Sequence, residues 1–231
     1  MTSNAGPRGR WFCRAHAHIS RYGLVSLLHT LLGKMDNHWY DLREGTNTAG
    51  VTDLDNLTIS SQNKKRGVYY GATRRRPFAE MLKVIAPPKD CTFVDVGCGK
   101  GKVLLMAMDY GFHHITGIEF ASELCEAARK NVETVRRRKG LRCSIEILEC
   151  DAAGYVVRPQ DTVFYIFHPF DDFVMSIFID NVVASVKSHP RPIWLIYSYP
   201  AHGKVVEKHA PFLRTFSCHI RGTPFKVYTN S

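Results

Sequence analysis

Thr92-Phe93-Val94-Asp95-Val96-Gly97-Cys98-Gly99-Lys100-Gly101-Lys102-Val103-Leu104-Leu105 is the stretch whose reading decides the fold. Apolar and β-branched residues lead to an acid, glycine then takes every second position, and an apolar helical run follows. That pattern predicts a buried strand, a sharp turn beneath a ligand and a helix start. Glycine lets the backbone approach the ligand closely. The new helix begins with unpaired N–H groups and the positive end of its dipole facing whatever is bound, which suits a carboxylate or another electron-rich group.

Spacing separates the possible ligands. A dinucleotide fingerprint is G-x-G-x-x-G and a phosphate-binding P-loop is G-x-x-x-x-G-K-[ST]. Gly97-x-Gly99-x-Gly101 with Asp95 two residues earlier matches neither. A turn that needs glycine for geometry alone is the bland alternative, and the rest of the chain weighs against it. After a helix to about Tyr110, residues 114–120 read as a second buried strand ending in Glu119, 18 residues past Gly101 (119 − 101). An acid about 20 residues beyond the turn is where nucleotide-binding α/β units hold ribose hydroxyls. Residues 121–139 form an amphipathic helix closed by Arg136-Arg137-Arg138-Lys139-Gly140, with basic charge at the negative end of the dipole. Residues 144–152 make a third strand with Asp151 just past its tip. Residues 162–167 are continuously apolar, hence a central strand, and deliver His168-Pro169-Phe170 at its end. A helix over 171–187, a strand over 193–199 and a hairpin within 212–229 turning at Gly222-Thr223-Pro224 complete the expectation. Strands alternating with helices imply an α/β fold with a mostly parallel twisted sheet, helices on both faces and a C-terminal antiparallel hairpin. Ligands then bind at the carboxyl ends of the strands, where all four marked sites fall.

With these residues in place, the chain resembles the class I S-adenosylmethionine (SAM) dependent methyltransferases from about residue 90 to 199, with (D/E)-x-G-x-G-x-G complete at 95–101. Over most of its length it also resembles an uncharacterised bacterial family of that superfamily, through Gly-x-x-Thr-x-Gly at Gly45 to Gly50 and Tyr-x-x-Thr at Tyr70 to Thr73. Its glycine loop is similar to that of the non-SET histone lysine methyltransferases. The resemblance implies a Rossmann-like class I methyltransferase fold, SAM as cofactor and S-adenosylhomocysteine as product. Gly97, Gly99 and Gly101 would approach the methionine part, with Asp95 holding its amino group. Glu119 would bind the ribose hydroxyls, Phe120 would pack beside the adenine, and Asp151 with Ala152 would read the adenine edge. Tyr70 and Thr73 would cover the methionine end. His168, Pro169 and Phe170 stand where amino-methylating relatives carry (D/N/S)-P-P-(Y/F), a motif that grips an amino group with a side-chain oxygen and a backbone carbonyl. Histidine in the first position departs from that pattern: neutral imidazole can accept one hydrogen bond or act as a base near neutral pH, or simply fill the strand end.

Before this unit, residues 1–76 read as an N-terminal extension and 77–231 as the SAM-binding domain. An amphipathic helix is expected over about residues 12–32, in an arginine-rich and acid-poor stretch that an organellar presequence would also display. The apolar run within it is too short to span a bilayer. Residues 36–76 are polar and turn-rich, a linker or a lid. A helix near Pro77 follows and stops at Pro87-Pro88.

At 231 residues with 45% hydrophobic and 23% charged residues the composition is that of one globular domain. A formal charge of +10 favours an acidic partner, whether nucleic acid, an anionic membrane surface or an acidic protein, or else simply a solvated basic surface. Seven cysteines without a C-x-x-C pair fit a reducing, cytoplasmic location, and no metal is expected. The functional expectation is methyl transfer from SAM to a nitrogen acceptor on a protein or nucleic acid. The rivals are a small-molecule methyltransferase, a SAM-binding protein without catalysis and, against the glycine spacing, a nicotinamide-dependent dehydrogenase.

Overall fold

The computed structural model describes residues 24–140 and 143–231. Seven strands form the central sheet: β3 (Thr92–Val96), β4 (His114–Glu119), β5 (Ser144–Glu149), β6 (Asp161–Ile166), β7 (Trp194–Ser198), β8 (Arg214–Ile220) and β9 (Thr223–Thr229). Their order is β5-β4-β3-β6-β7-β9-β8, and the first five run parallel while β9 lies antiparallel to both β7 and β8. Strand order reverses between β3 and β6, and a crevice opens at such a switch point at the carboxyl ends of the strands. This is the Rossmann-like class I architecture, hairpin included. A two-stranded ribbon, β1 (Val51–Thr52) with β2 (Tyr70–Gly71), stands apart from the sheet.

Period-two alternation divides the core between the two faces. Val94, Val96, Phe164 and Ile166 point to one side, against Met175, Phe178, Ile179 and Val182 of helix α5 (Asp172–Ser188). Phe93, Val163 and Tyr165 point to the other, against α2 (Arg75–Ile85), α3 (Lys102–Tyr110) and α4 (Ser122–Lys139). Phe78 of α2 meets Phe93 and Tyr165 edge-on, with ring centroids 6.1 and 5.0 Å away. Emptying such a position would cost about 3–5 kcal/mol. Pro77 is tolerated in α2 because it falls in the first turn, and the helix stops at Ala86 (φ 43°) before Pro87-Pro88.

Two expectations are corrected here. Residues 36–44 are not part of a turn-rich segment: helix α1 (Leu24–Glu44) runs through them, while the part of the expected helix before residue 24 lies outside the described residues. Its acids are buried by specific partners and not by an apolar stripe. The Asp41 carboxylate accepts from the Thr46 hydroxyl, the Thr48 backbone and hydroxyl, and the Ala49 N–H at 2.6–2.9 Å. Glu44, also buried, meets Lys139 at 2.7 Å. Between β7 and β8 lies α6 (Gly203–His209), a short helix packed on α5 in a stretch for which no element was expected. The turn of the final hairpin is Arg221-Gly222, since Thr223 and Pro224 already pair in β9.

Candidate active site

The strand end and glycine loop build the floor of the site. Gly97, Gly99 and Gly101 have φ of 80°, 52° and 80°, in the left-handed region that side chains resist. A Cβ on Gly97 would come within 2.5 Å of Pro169 Cβ, and one on Gly99 would overlap the Tyr70 ring. At Gly101 it would press on Ala128 of α4 at 3.1 Å. The loop is held from below by Glu119, whose Oε2 accepts from Gly99 N–H at 2.9 Å while Oε1 accepts from Phe120 and Ala121 N–H at 2.9 and 3.0 Å.

Above this floor lies an open cavity at the carboxyl ends of the strands. Tyr70, Thr73, Asp95, Gly97, Glu119, Phe120, Asp151, Ala152, Pro169 and Phe170 all line it, together with residues that sequence reasoning did not select: Leu54, Asn63, Val68, Cys98, Lys102 and Phe167. Gly99 and Gly101 shape the loop from beneath without forming the wall. Three carboxylates therefore share one small space. Burial, with the Glu119 charge adding to it, pushes Asp95 well above the usual carboxylate range, and Asp95 accepts no hydrogen bond among the described residues. Glu119 is also raised by burial, although three backbone donors oppose the shift.

Asp151 is already engaged. Its Oδ1 accepts from Ala153 N–H at 2.8 Å, and its Oδ2 accepts from the Ser61 hydroxyl and from Asn63 Nδ2. Ser61 and Asn63 belong to a strap, residues 61–73, that crosses the cavity. Val68 N–H donates to Pro169 O at 2.9 Å, Asp171 N–H to Arg66 O at 2.9 Å, and the Arg66 guanidinium meets Asp171 at 2.8 Å. The strap thus occupies the carbonyl that an amino-gripping loop leaves open.

At the strap's end, the buried Tyr70 hydroxyl donates to Thr48 O at 2.5 Å. The Gly45 to Gly50 segment is consequently a clamp: Asp41 organises it, Asn47 N–H donates to Asn131 Oδ1 at 2.9 Å, and Asn131 Nδ2 donates to Lys100 O at 2.9 Å in the glycine loop.

His168 does not line the cavity. It follows β6 with φ 43°, strained for a residue with a Cβ, and its Nδ1 faces the Tyr197 hydroxyl at 3.4 Å while its ring lies 5.2 Å from His202. Burial and the neighbouring His202 lower its pKa. Tyr199, past the end of β7, is likewise left-handed at φ 51°, and its ring packs 5.5 Å from Phe167. Among the described residues no group of three His, Cys, Asp or Glu side chains stands close enough to hold a metal ion.

Comparison with known proteins agrees with this geometry. Residues 93–189 match the family model described as a methyltransferase domain. A SAM-dependent methyltransferase from Aquifex aeolicus shares the fold at 15% identity and a TM-score of 0.52, over 66% of this chain and 88% of that one. The glycopeptide N-methyltransferase MtfA, solved with S-adenosylhomocysteine, gives 13% and 0.51 over 66% and 88%. The putative methyltransferase yhhF from Escherichia coli gives 14% and 0.50 over 78% and 98%. No curated protein matches. Sheet order, glycine loop and domain match together define a class I methyltransferase architecture. Over residues 93–189 the chain thus carries a match to a methyltransferase domain, in a fold it shares with enzymes that use SAM as cofactor.

The residues fit that cofactor. Gly97 lines the cavity at a point where a Cβ would press on Pro169, and the acids beside it suit a ligand bearing a sulfonium and an ammonium group. Among the described residues no helix is long and apolar enough to cross a membrane.

Proposed function

We propose that the chain methylates a nitrogen acceptor on a protein or nucleic acid, with Asp95, Glu119, Phe120 and the Asp151–Ala152 turn binding the donor, and with the strap and Tyr70-to-Thr73 turn as its lid. The observation that carries the reading is His168, a histidine whose pKa burial and the neighbouring His202 lower, held in a strained conformation and joined directly to the Pro169 that lines the cavity. An amine arrives as an ammonium ion and has no lone pair until it loses a proton. An imidazole whose pKa is lowered is suited to take that proton through an intervening water, since His168 itself stands behind the cavity wall.

When bound, SAM supplies an already activated methyl group for in-line displacement. The protein's work is then to align the acceptor and exclude water, for which orientation can contribute up to roughly 7–11 kcal/mol. Strap and clamp serve that end by closing one side of the cavity. Tyr69 is exposed among the lining residues, Lys65 is exposed on the strap, and Phe173 is exposed beneath Arg66. An accessible, basic and aromatic rim favours a macromolecular acceptor over an engulfed metabolite. The similarity of the glycine loop to that of the histone lysine methyltransferases supports the same reading. With Pro169 O already bonded to Val68 N–H, the acceptor is held by the His168 side of the loop and not by the two-point amino grip.

The test is transfer of a radiolabelled methyl group from SAM to cell fractions treated with nuclease or protease. Label that one of these treatments removes identifies the acceptor class, whereas label confined to dialysable metabolites sinks the macromolecular reading. The His168→Gln variant is expected to lose about 10²-fold or more in kcat with SAM binding retained. The wild-type rate should fall on the acid side only below the ordinary imidazole range of about 6.5.

A further inference from the structure

Among the described residues that line the cavity, Lys102 is the one basic side chain, set against Asp95, Glu119 and Asp151. It is 2% exposed. Its ammonium donates to Asn37 Oδ1, lies 4.8 Å from the Tyr40 ring centroid, and forms no ion pair among the described residues. Asn37 in turn donates from Nδ2 to Ala72 O at 3.4 Å, so its carboxamide is oriented with the oxygen toward Lys102. Burial lowers the Lys102 pKa to about 8; Asp36 and Asp41 on α1 oppose that shift, and Arg75 on α2 adds to it.

Burying an ammonium without a carboxylate partner is costly, and a lone hydrogen bond with a cation–π contact offsets only part of the loss. A strut between α1 and α3 needs no charge: methionine would fill the space. The charge is explained by a ligand. A cavity of three acids suits the sulfonium and ammonium of the donor but repels its third ionic group, the carboxylate. Lys102 is also the first residue of α3, where the helix dipole favours an anion.

We propose that Lys102 binds the carboxylate of the methionine part of SAM and makes the site selective for ligands that carry an intact amino-acid end. This rests on the SAM-binding reading of the same cavity and adds to it the residue that recognises the anionic group.

The experiment is calorimetric titration of the full chain with SAM and with decarboxylated SAM, which keeps the sulfonium and the amine and lacks only the carboxylate. Wild type is expected to prefer SAM by at least tenfold. In Lys102→Met, SAM affinity should fall by at least tenfold while decarboxylated SAM binds as before or more tightly, so the preference collapses. Equal loss of both ligands would reduce Lys102 to a strut, and unchanged SAM affinity would remove it from the site; either overturns the proposal. A folded wild type that binds neither ligand also overturns it, and is distinguishable because the donor-binding reading then fails first, without any variant. Thermal melts check folding. Should Lys102→Met fail to fold, Lys102→Gln, which can still donate to Asn37, carries the same comparison.

Discussion

Two buried aspartates on either side of Tyr70 make opposite use of burial. Asp41 on α1 is surrounded by donors; burial alone would raise its pKa, but hydrogen bonds from Thr48, Thr46 and Ala49 outweigh it and hold the group below the usual carboxylate range. Asp95 at the tip of β3 has no donor among the described residues, faces Glu119, and is raised far above that range. The chain thus has the means to satisfy a buried carboxylate and supplies them at the clamp, not at the strand tip. A fully bonded acid defines structure, whereas an acid left unbonded in a cavity keeps its bonding capacity for a ligand.

Gly99 is where the two regions meet, since the Tyr70 ring lies on it and the Tyr70 hydroxyl bonds to Thr48 of the clamp. Gly99→Arg should therefore damage both at once, by forcing a side chain into a left-handed position beneath the ring. Loss of S-adenosylhomocysteine binding by about a thousandfold, ~4 kcal/mol, is expected by calorimetry. Retained binding would mean that the glycine loop does not contact the donor.

Asp41→Ala isolates the clamp. It strands the Thr48 and Ala49 N–H groups and should cost about 3 kcal/mol of stability, read from urea unfolding at constant m-value. The sign with pH follows from the depressed pKa. The Asp41 contribution is full above the ordinary carboxylate range and is lost as pH falls through the folded value, so wild type and variant should converge in acid. Persistent separation of the two curves at low pH would show that Asp41 acts by packing instead.

How far these sites are legible in sequence follows the same division. The sheet could be read because its strands are buried on both faces and need no partner to be recognised, and the glycine loop because positive φ at Gly97, Gly99 and Gly101 restricts residue choice. Asp95, Glu119 and Asp151 could be found because strand ends in an α/β sheet converge on one edge. The course of α1 through Asp41 and Glu44 could not be read, because polar residues buried by long-range partners leave no apolar period. Asn131, on an apolar helix face, and the Ser61 and Asn63 anchors on Asp151 were hidden for the same reason. Lys102 did carry a signal. The helix it opens continues Val103-Leu104-Leu105-Met106-Ala107, all buried, and so has no solvent face in its first turns on which a lysine could lie.

Asp95→Asn sharpens the contrast from the ligand side. A carboxamide spares the folded chain from holding a proton that the unfolded carboxyl gives up, so stability near neutral pH should rise by about 0.5–2 kcal/mol. The same change should weaken SAM binding about tenfold or more, ~1.4 kcal/mol, because a carboxamide cannot pair with the donor's ammonium. A variant that loses stability and keeps its affinity would make Asp95 structural, like Asp41, and erase the distinction between the two sites.

The smallest effect is also the most specific to Asp95. With its pKa raised in the folded protein, Asp95 contributes stability that is present below the ordinary carboxylate range and lost as pH rises through the folded value, the reverse of Asp41. Until that value is reached the free protein retains a proton on this group. A ligand that brings positive charge favours the carboxylate and so expels the proton. SAM binding should therefore release up to one proton per site, measured by calorimetry in two buffers of different ionisation enthalpy, with the released fraction growing as pH falls. In Asp95→Asn that component should vanish, while Asp41→Ala, tested under conditions where it remains folded, should leave it intact. Release that survives in Asp95→Asn would assign the proton to Glu119, the other raised acid of the cavity, and move the ammonium site to β4.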